Sequence, residues 1–371
     1  MSIRGGGEQG SIGAAGSYTS QDGILGGERA GFERYTARLN GRQRVKEWLS
    51  VGSNINFTYL QRSALSENNE FNSPLVRALN MDPITPVRRA DGAYAYSVYT
   101  DTDIANPVNA IEQTNDTWTS NRVVGSAFAE ITPVEGLTLR SAYSVDATFA
   151  NQDVFRPLYN LSLDTALNDA PVAERNDVGN SVFRGDNTWR NWQWENTATY
   201  QRVVGERHSL TATIGMTALE NRFDYAGGAN SNLPSNDPDD AYLSNTIDPI
   251  ATQSTYGGAE ESSLYSYFGR VNYDLDDRYL FSASLRRDAS SLFGLNYPAG
   301  YFPAFSAGWI LSREAFWSEV GPVDFLKVRA SWGQNGNNRI GVYRYSAVVN
   351  AGQNYTFGDR KSTRLNSSHW W

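Results

Sequence analysis

Leu49-Ser50-Val51-Gly52-Ser53-Asn54-Ile55-Asn56-Phe57-Thr58-Tyr59 alternates apolar and polar side chains along most of its length. In an extended chain successive side chains point to opposite faces. Leu49, Val51, Ile55, Phe57 and Tyr59 therefore share one face, and Ser50, Gly52, Asn54, Asn56 and Thr58 share the other. The pattern recurs. Leu137, Leu139, Tyr143, Val145, Ala147 and Phe149 oppose Thr138, Arg140, Ser144, Asp146 and Thr148. Trp192, Trp194, Ala198 and Tyr200 oppose Gln193, Glu195, Thr197, Thr199 and Gln201. Leu210, Ala212, Ile214 and Met216 oppose Ser209, Thr211, Thr213 and Gly215, and Leu326, Val328, Ala330 and Trp332 oppose Lys327, Arg329 and Ser331. Looser versions run over Ser11 to Thr19, Phe32 to Gln43, Arg122 to Thr132, Leu264 to Leu275, Arg278 to Asp288 and Phe302 to Leu311, and a last strand is expected from Tyr343 to Val349. The sum is about a dozen antiparallel strands.

Many of these segments exceed the ~5–6 residues usual in globular strands and approach the ~9–11 that a tilted membrane strand needs. The links alternate in length. Lys46 to Trp48, Pro133 to Gly136, Gly205 to Arg207 and Asp274 to Asp277 are short, whereas Ala64 to Thr117, Asp153 to Asn187, Ala226 to Glu261 and Ser290 to Gly300 are long. An up-and-down barrel sorts its connections this way, with short turns on the periplasmic rim and long loops outside. A soluble sandwich gives no reason for such sorting and must bury its apolar faces against each other. The expected fold is all-β: part of an antiparallel up-and-down transmembrane barrel, laid out as an open curved sheet. Trp48, Trp118, Trp189, Tyr273, Tyr279 and Trp332 lie near expected strand ends, where they could form interfacial girdles.

Composition narrows the function. The chain of 371 residues has no cysteine, two histidines and a formal charge of −8. Disulfides and thiolate sites are thereby excluded, a multi-histidine metal site is disfavoured, and nucleic acid is a poor partner because phosphate binding wants a basic stripe. No stretch is long and apolar enough for a membrane helix, and no secretory leader precedes Gly5-Gly6-Gly7. No catalytic constellation emerges, so no enzyme and no cofactor is expected. Asp237, Asp239 and Asp240 lack the EF-hand spacing and are read as a solvated acidic loop rather than a calcium site. Gly5-Gly6-Gly7 and Gly333-Gln334-Asn335-Gly336 are read as turns, and Arg313 to Glu319 as a short helix in a periplasmic connection.

From Ser263 to Tyr345 the sequence resembles the SusC/RagA-type TonB-linked outer-membrane receptors. The resemblance rests on Tyr265-Ser266-Tyr267-Phe268-Gly269-Arg270-Val271-Asn272-Tyr273, Tyr279-Leu280-Phe281-Ser282-Ala283-Ser284-Leu285-Arg286-Arg287-Asp288, Phe302-Pro303-Ala304-Phe305-Ser306-Ala307-Gly308-Trp309 and Phe325-Leu326-Lys327-Val328-Arg329-Ala330-Ser331-Trp332-Gly333-Gln334-Asn335-Gly336. Asn106-Pro107-Val108-Asn109-Ala110-Ile111 and Phe32-Glu33-Arg34-Tyr35-Thr36-Ala37-Arg38-Leu39-Asn40 extend it. The resemblance implies residence in the bacterial outer membrane, a share of a plugged barrel of the roughly 22-strand class, import of oligosaccharides or peptides, a SusD-type surface lipoprotein as lid and energy from the TonB complex. Residues 1–358 are then expected to be a partial barrel without its plug and terminal strands. Residues 359–371 are expected to be a tail translated from a sequencing adapter.

Substrate-contact candidates are Tyr94, Tyr96, Tyr99 and Trp118, aromatic residues in or beside a long loop that could stack on sugar rings. Loop packing is the competing reading of these four. Three other functions share some of the same pattern: a passive porin, a surface adhesin barrel and a soluble all-β carbohydrate-binding domain.

Overall fold

The computed structural model describes residues 1–65, 73–99, 104–158, 180–294, 299–317 and 323–346. Twelve strands form one sheet in the order of the sequence, each hydrogen-bonded antiparallel to the next. They are β1 (Ser2–Gly7), β2 (Gly10–Gly23), β3 (Gly27–Lys46), β4 (Leu49–Ser63), β5 (Asn115–Val134) and β6 (Leu137–Arg156). Next come β7 (Ser181–Val204), β8 (His208–Ser231), β9 (Ser254–Leu275), β10 (Tyr279–Ser290), β11 (Ala299–Ile310) and β12 (Lys327–Gly333). Among the described residues the sheet does not close: β1 pairs only with β2, and β12 only with β11. The described loops carry three short α-helices, α1 (Pro74–Asn80), α2 (Pro107–Gln113) and α3 (Pro249–Thr252).

The register carries the alternation across the whole sheet. Phe281 pairs with Tyr273 and Ala307, Ala283 with Val271 and Phe305, and Phe305 in turn with Trp332. Tyr273, Val271 and Tyr267 continue onto Leu210, Ala212 and Met216, and from there onto Arg202, Tyr200 and Asn196. Through Leu139, Ile131, Ile55 and Leu39 the same face reaches Ala14 and Ile3 on the first two strands. This face is apolar and uncovered; Ile214 is 67% exposed, Leu285 52% and Trp332 56%. A contiguous apolar surface of this extent is not tolerated in water, whereas lipid accepts it without cost. The opposite face carries Arg270, Asn272, Arg286, Lys327 and Arg329 with Ser, Thr and Asn neighbours.

On β8 the apolar band runs from Leu210 to Ala218, about the length a tilted membrane strand requires, and Glu220 ends it. Yet β7 and β8 are 24 residues each, so both continue well beyond the band. The extensions lie at the long-loop end and carry ion pairs on the outer side: Arg190 to Asp224 at 2.5 Å, Arg222 to Asp224 at 2.9 Å and Arg222 to Glu261 at 3.3 Å.

At the other rim the turns are tied to one another. Arg207 of the β7–β8 turn donates two bonds to Asp276 of the β9–β10 turn, at 2.6 and 2.7 Å. Asp276 and Asp277 both take left-handed backbone angles, φ 57° and 54°, which short polar side chains tolerate. Arg278 pairs with Asp276 and with Glu314, both at 3.2 Å, and Glu314 also accepts from Tyr279 at 2.5 Å and Trp309 at 2.9 Å. The Arg207 guanidinium draws the Asp276 carboxyl down to about 2, and the Tyr279, Trp309 and Arg278 donors hold Glu314 below its ordinary value. A depressed carboxyl contributes stability above its unfolded value near ~4 and loses that contribution as the pH falls through the folded value. Heat-stability differences between the native barrel and Asp276→Asn are therefore expected to be constant at neutral pH and to shrink only between about pH 4 and pH 2.

Several expectations are corrected. Gly5-Gly6-Gly7 is not a turn but the end of β1, an extra edge strand that glycine composition hid. Tyr343 to Ser346 form a turn, with Tyr343 at φ 58°, instead of beginning a strand; the remainder of that expected strand, 347–349, lies outside the described residues. Leu311–Arg313 make a single 3-10 turn where a helix from Arg313 was expected, and 318–319 are outside the described residues. The sorting of links also has two exceptions, a short β2–β3 turn at the long-loop end and a long β11–β12 connection at the other. The adapter-like tail, 359–371, lies outside the described residues.

Candidate functional site

The extended tops of β5 to β9 turn a run of aromatic rings onto the polar face. Trp118 of β5 lies 6.5 Å from Trp189 of β7, measured between ring centroids. Trp189 stacks on Phe223 of β8 at 4.8 Å and 17°. Phe223 stacks on Tyr225 at 5.3 Å, Tyr225 on Tyr256 of β9 at 6.1 Å, and Tyr256 on Phe183 at 6.0 Å. Six rings from four strands thus make one continuous ladder. Strand pairing explains it, because the register sets Trp189 directly opposite Phe223 and Asn187 opposite Tyr225. Gly227 supplies the room: a Cβ there would lie 2.5 Å from Tyr256 Oη. Asn187, Asn191, Asn221 and Gln152 share the polar face beside the rings, and Gln152 donates to Asp116 at 3.0 Å. Stacked rings flanked by amides bind flat or ring-shaped polar ligands, with apolar contact from the rings and hydrogen bonds from the amides.

The loops above the ladder are held by buried asparagines. Asn180 is fully buried; its Oδ1 accepts from Leu233 N at 2.7 Å and its Nδ2 donates to Ser235 O at 2.7 Å. Asn230 Nδ2 donates to Leu243 O at 2.7 Å, and its Oδ1 accepts from Thr252 at 2.6 Å. Phe155, Val182, Leu233 and Ala241 form a small core beneath them. In the β4–β5 loop, Asn106 caps α2 through Val108 N and Asn109 N and bonds Val87 O and Ala95 O. Asn180→Ala would leave the buried Leu233 N–H unpaired, at about 1–3 kcal/mol, and remove the donor to the half-buried Ser235 carbonyl. The expected result is a sharp rise in hydrogen exchange and proteolysis across residues 232–253, with the strands below unchanged.

No protein-family model matches the chain. Relatives do. TonB-dependent receptor P26 of Formosa agariphila is 29% identical over 355 residues, which is 94% of this chain and 33% of that protein. TonB-dependent receptor SusC of Bacteroides thetaiotaomicron is 27% identical over 377 residues, 92% of this chain and 34% of SusC. The RagAB peptide importer in its 'closed-closed' state superposes with a TM-score of 0.76 at 25% identity over 96% of this chain and 38% of that one. In sequence and fold, the chain is SusC/RagA-like. It spans about a third of the length of the curated relatives it matches.

In transmembrane up-and-down barrels the apolar face meets lipid, the polar face lines the lumen and the long loops are extracellular, and the two faces and two rims of this sheet match that arrangement. The aromatic ladder then sits on the lumen wall above the bilayer. The four sequence candidates separate on this geometry. Trp118 joins the ladder. Tyr94 is bound up in its own loop: its hydroxyl meets Arg88 at 2.9 Å and Glu112, and the Arg88 guanidinium lies 4.1 Å over its ring. Tyr96 is half-buried under Arg89, and Tyr99 is exposed. Trp118 and Trp189 are corrected as girdle residues, since both point into the lumen, whereas Tyr273, Tyr279 and Trp332 are on the lipid side. Phe183, Phe223, Tyr225 and Tyr256 were not marked by sequence, because their association depends on strand register. Asp237, Asp239 and Asp240 form a capped 3-10 turn in which Asp237 accepts from Asp239 N at 2.9 Å.

Proposed function

We propose that this chain is the wall of an outer-membrane importer of bulky polar nutrients, and that the lumenal ladder from Trp118 to Phe183 is where substrate contacts the wall. The observation that carries this reading is the continuity of six neighbouring rings, five of them stacked and Trp118 tilted at the end, at the long-loop end of the polar face. Oligosaccharide is the substrate class favoured. Sugar rings present apolar faces to aromatic rings and hydroxyls to Asn187, Asn191 and Asn221. The name RagAB peptide importer supports a second reading, a peptide substrate. Extended peptides would lie along the same rings through their side chains and bond the same amides.

In this reading the intact protein works with a SusD-type surface lipoprotein closing the long-loop rim and draws energy from TonB. It is a transporter and not an enzyme. The test is uptake by cells producing the full-length protein that contains this segment, offered labelled oligosaccharides and peptides of matched size. TonB-dependent uptake of one class, with a surface lipoprotein co-purifying, is the expected result. Uptake independent of TonB would favour a passive porin, and no uptake together with cell adhesion would favour an adhesin.

A further inference from the structure

The lipid side of the sheet is not uniformly smooth. A groove of 790 Å³ crosses it from Ala129 and Ile131 on β5 to Leu285 and Arg287 on β10. Its small residues come from two adjacent rows, Ala129 and Ser141 in the row that runs through Asn196 and Met216, and Ala198 and Gly269 in the row that runs from Ile131 and Leu139 through Ile214 to Leu285. Six strands at ~4.8 Å spacing make it about 24 Å long, the scale of one extended acyl chain. The floor is not wholly apolar: Ser141 Oγ accepts from Trp194 Nε1 at 3.0 Å, and Asn196, paired with Ser141, also lines the groove with a buried amide nitrogen that meets no acceptor.

One end of the groove is charged. Arg287 lies on the lipid-facing side, paired in register with Tyr267 and Tyr301. Among the described residues it has no carboxylate partner, whereas Arg190 and Arg222, higher on the same side, are both in ion pairs. Its row, through Met216 and Tyr267, is four residues below the row of Glu220 and Ser263, where the polar belt begins. That is about 13 Å along the strand, less after tilt, so the guanidinium can reach up to the headgroup layer while its stem stays in hydrocarbon. The β10 end of this groove therefore offers a cation with no carboxylate partner among the described residues, beside Tyr267 and Tyr301 of its own row and below Tyr265.

We propose that this groove binds a phosphorylated, acylated glycolipid of the outer leaflet, lipid A, with one phosphate on Arg287 and one acyl chain laid across Ala198 and Gly269 towards Ala129. Charge complementarity selects the occupant: a neutral acyl chain would leave Arg287 unpaired in the bilayer, and a phosphate at that depth satisfies it through charge-assisted bonds. The inference rests on the outer-membrane reading above.

The test is native mass spectrometry of the full-length protein extracted in mild detergent, after membrane fractionation has established where it resides. Bisphosphoryl lipid A, enzymatically dephosphorylated lipid A and phosphatidylglycerol are titrated separately. The expected result is one saturable bisphosphoryl lipid A adduct, weakened about tenfold by Arg287→Gln, with dephosphorylated lipid A insensitive to that change. Ala198→Trp, which fills the groove without touching the charge, should weaken both forms of lipid A. Both variants must keep the native barrel's heat-modifiable gel mobility. Equal binding by the native protein and Arg287→Gln, equal or tighter binding of phosphatidylglycerol, or no saturable adduct would overturn the proposal. Recovery of the native protein outside the outer membrane would overturn the importer reading instead, and this inference with it.

Discussion

Produced alone and supplied with detergent or liposomes, this chain is expected to yield no uniform pores and no monomeric folded barrel. The reason lies at the two edges of the sheet. β1 and β12, six and seven residues long, each present one row of backbone groups with no neighbour. In hydrocarbon every unmet amide or carbonyl costs several kcal/mol, so a dozen strands in an open sheet are not a stable membrane structure. Water offers no escape, because the exposed face that includes Ile214, Phe281, Leu285 and Trp332 would associate with other copies. Single-channel conductance and size-exclusion profiles check this. Aggregates or heterogeneous oligomers are expected, and steady, uniform conductance from monomers would refute it.

The second large effect is expected at the ladder. In the full-length protein, Trp189→Ala with Phe223→Ala should reduce substrate affinity and uptake by roughly tenfold or more, since each stacked aromatic contact is worth about 0.5–1.5 kcal/mol beyond its area. Trp189 and Phe223 stack at 4.8 Å as the second and third rings of the run, so their loss cuts Trp118 off from Tyr225, Tyr256 and Phe183. Tyr267→Ala, on the lipid side, is the control for folding and should leave uptake unchanged. Gly227→Val should act at a distance by pushing the Tyr256 ring out of line. If uptake survives the double change at native levels, substrate does not travel along these rings.

Strand alternation made the membrane part of the fold legible. Phe281, Val271, Ala212, Tyr200 and Leu137 could be assigned to one face from their own segments, and hydrogen bonding then joined those segments into a band. What failed lay outside the band. Gly5-Gly6-Gly7 has no side chains to alternate, so β1 left no trace. The upper parts of β8 and β9, Ala226–Ser231 and Ser254–Glu261, looked like loop because glycine and polar residues replace the apolar face once the strand leaves lipid. A last strand was expected from Tyr343, whereas its left-handed backbone belongs to a turn.

The candidate site was less legible, and for a physical reason. Aromatic residues in a loop are conspicuous in sequence, so Tyr94, Tyr96 and Tyr99 drew notice; Tyr94 turned out to be held by Arg88 and Glu112 within the loop itself. Trp118 was marked both as a possible sugar contact and as a possible girdle residue, and only the register, which sets it opposite Gln152 on the polar face, decides between them. Phe223 and Tyr225 each occupy a strand position that reads as ordinary. Their meaning depends on which residues of β7 and β9 lie beside them, and a single strand does not contain that information.

The central claim is that one face of this sheet meets lipid and the other lines a water-filled lumen. This segment has no cysteine, so once any cysteine elsewhere in the full-length protein is replaced, single cysteines can be placed one at a time and spin-labelled. The most direct measurement is the accessibility of labels at Tyr265, Tyr267, Val271, Tyr273, Phe281, Leu285, Val328 and Trp332 against labels at Arg270, Asn272, Arg286, Lys327 and Arg329, using oxygen as the lipid-soluble relaxant and a nickel chelate as the water-soluble one. The account expects the first set to respond to oxygen and the second to the chelate, alternating residue by residue along β9, β10 and β12. The reverse assignment, or the same response from neighbouring residues, would contradict it, because a strand shifted by one residue moves every side chain to the other face.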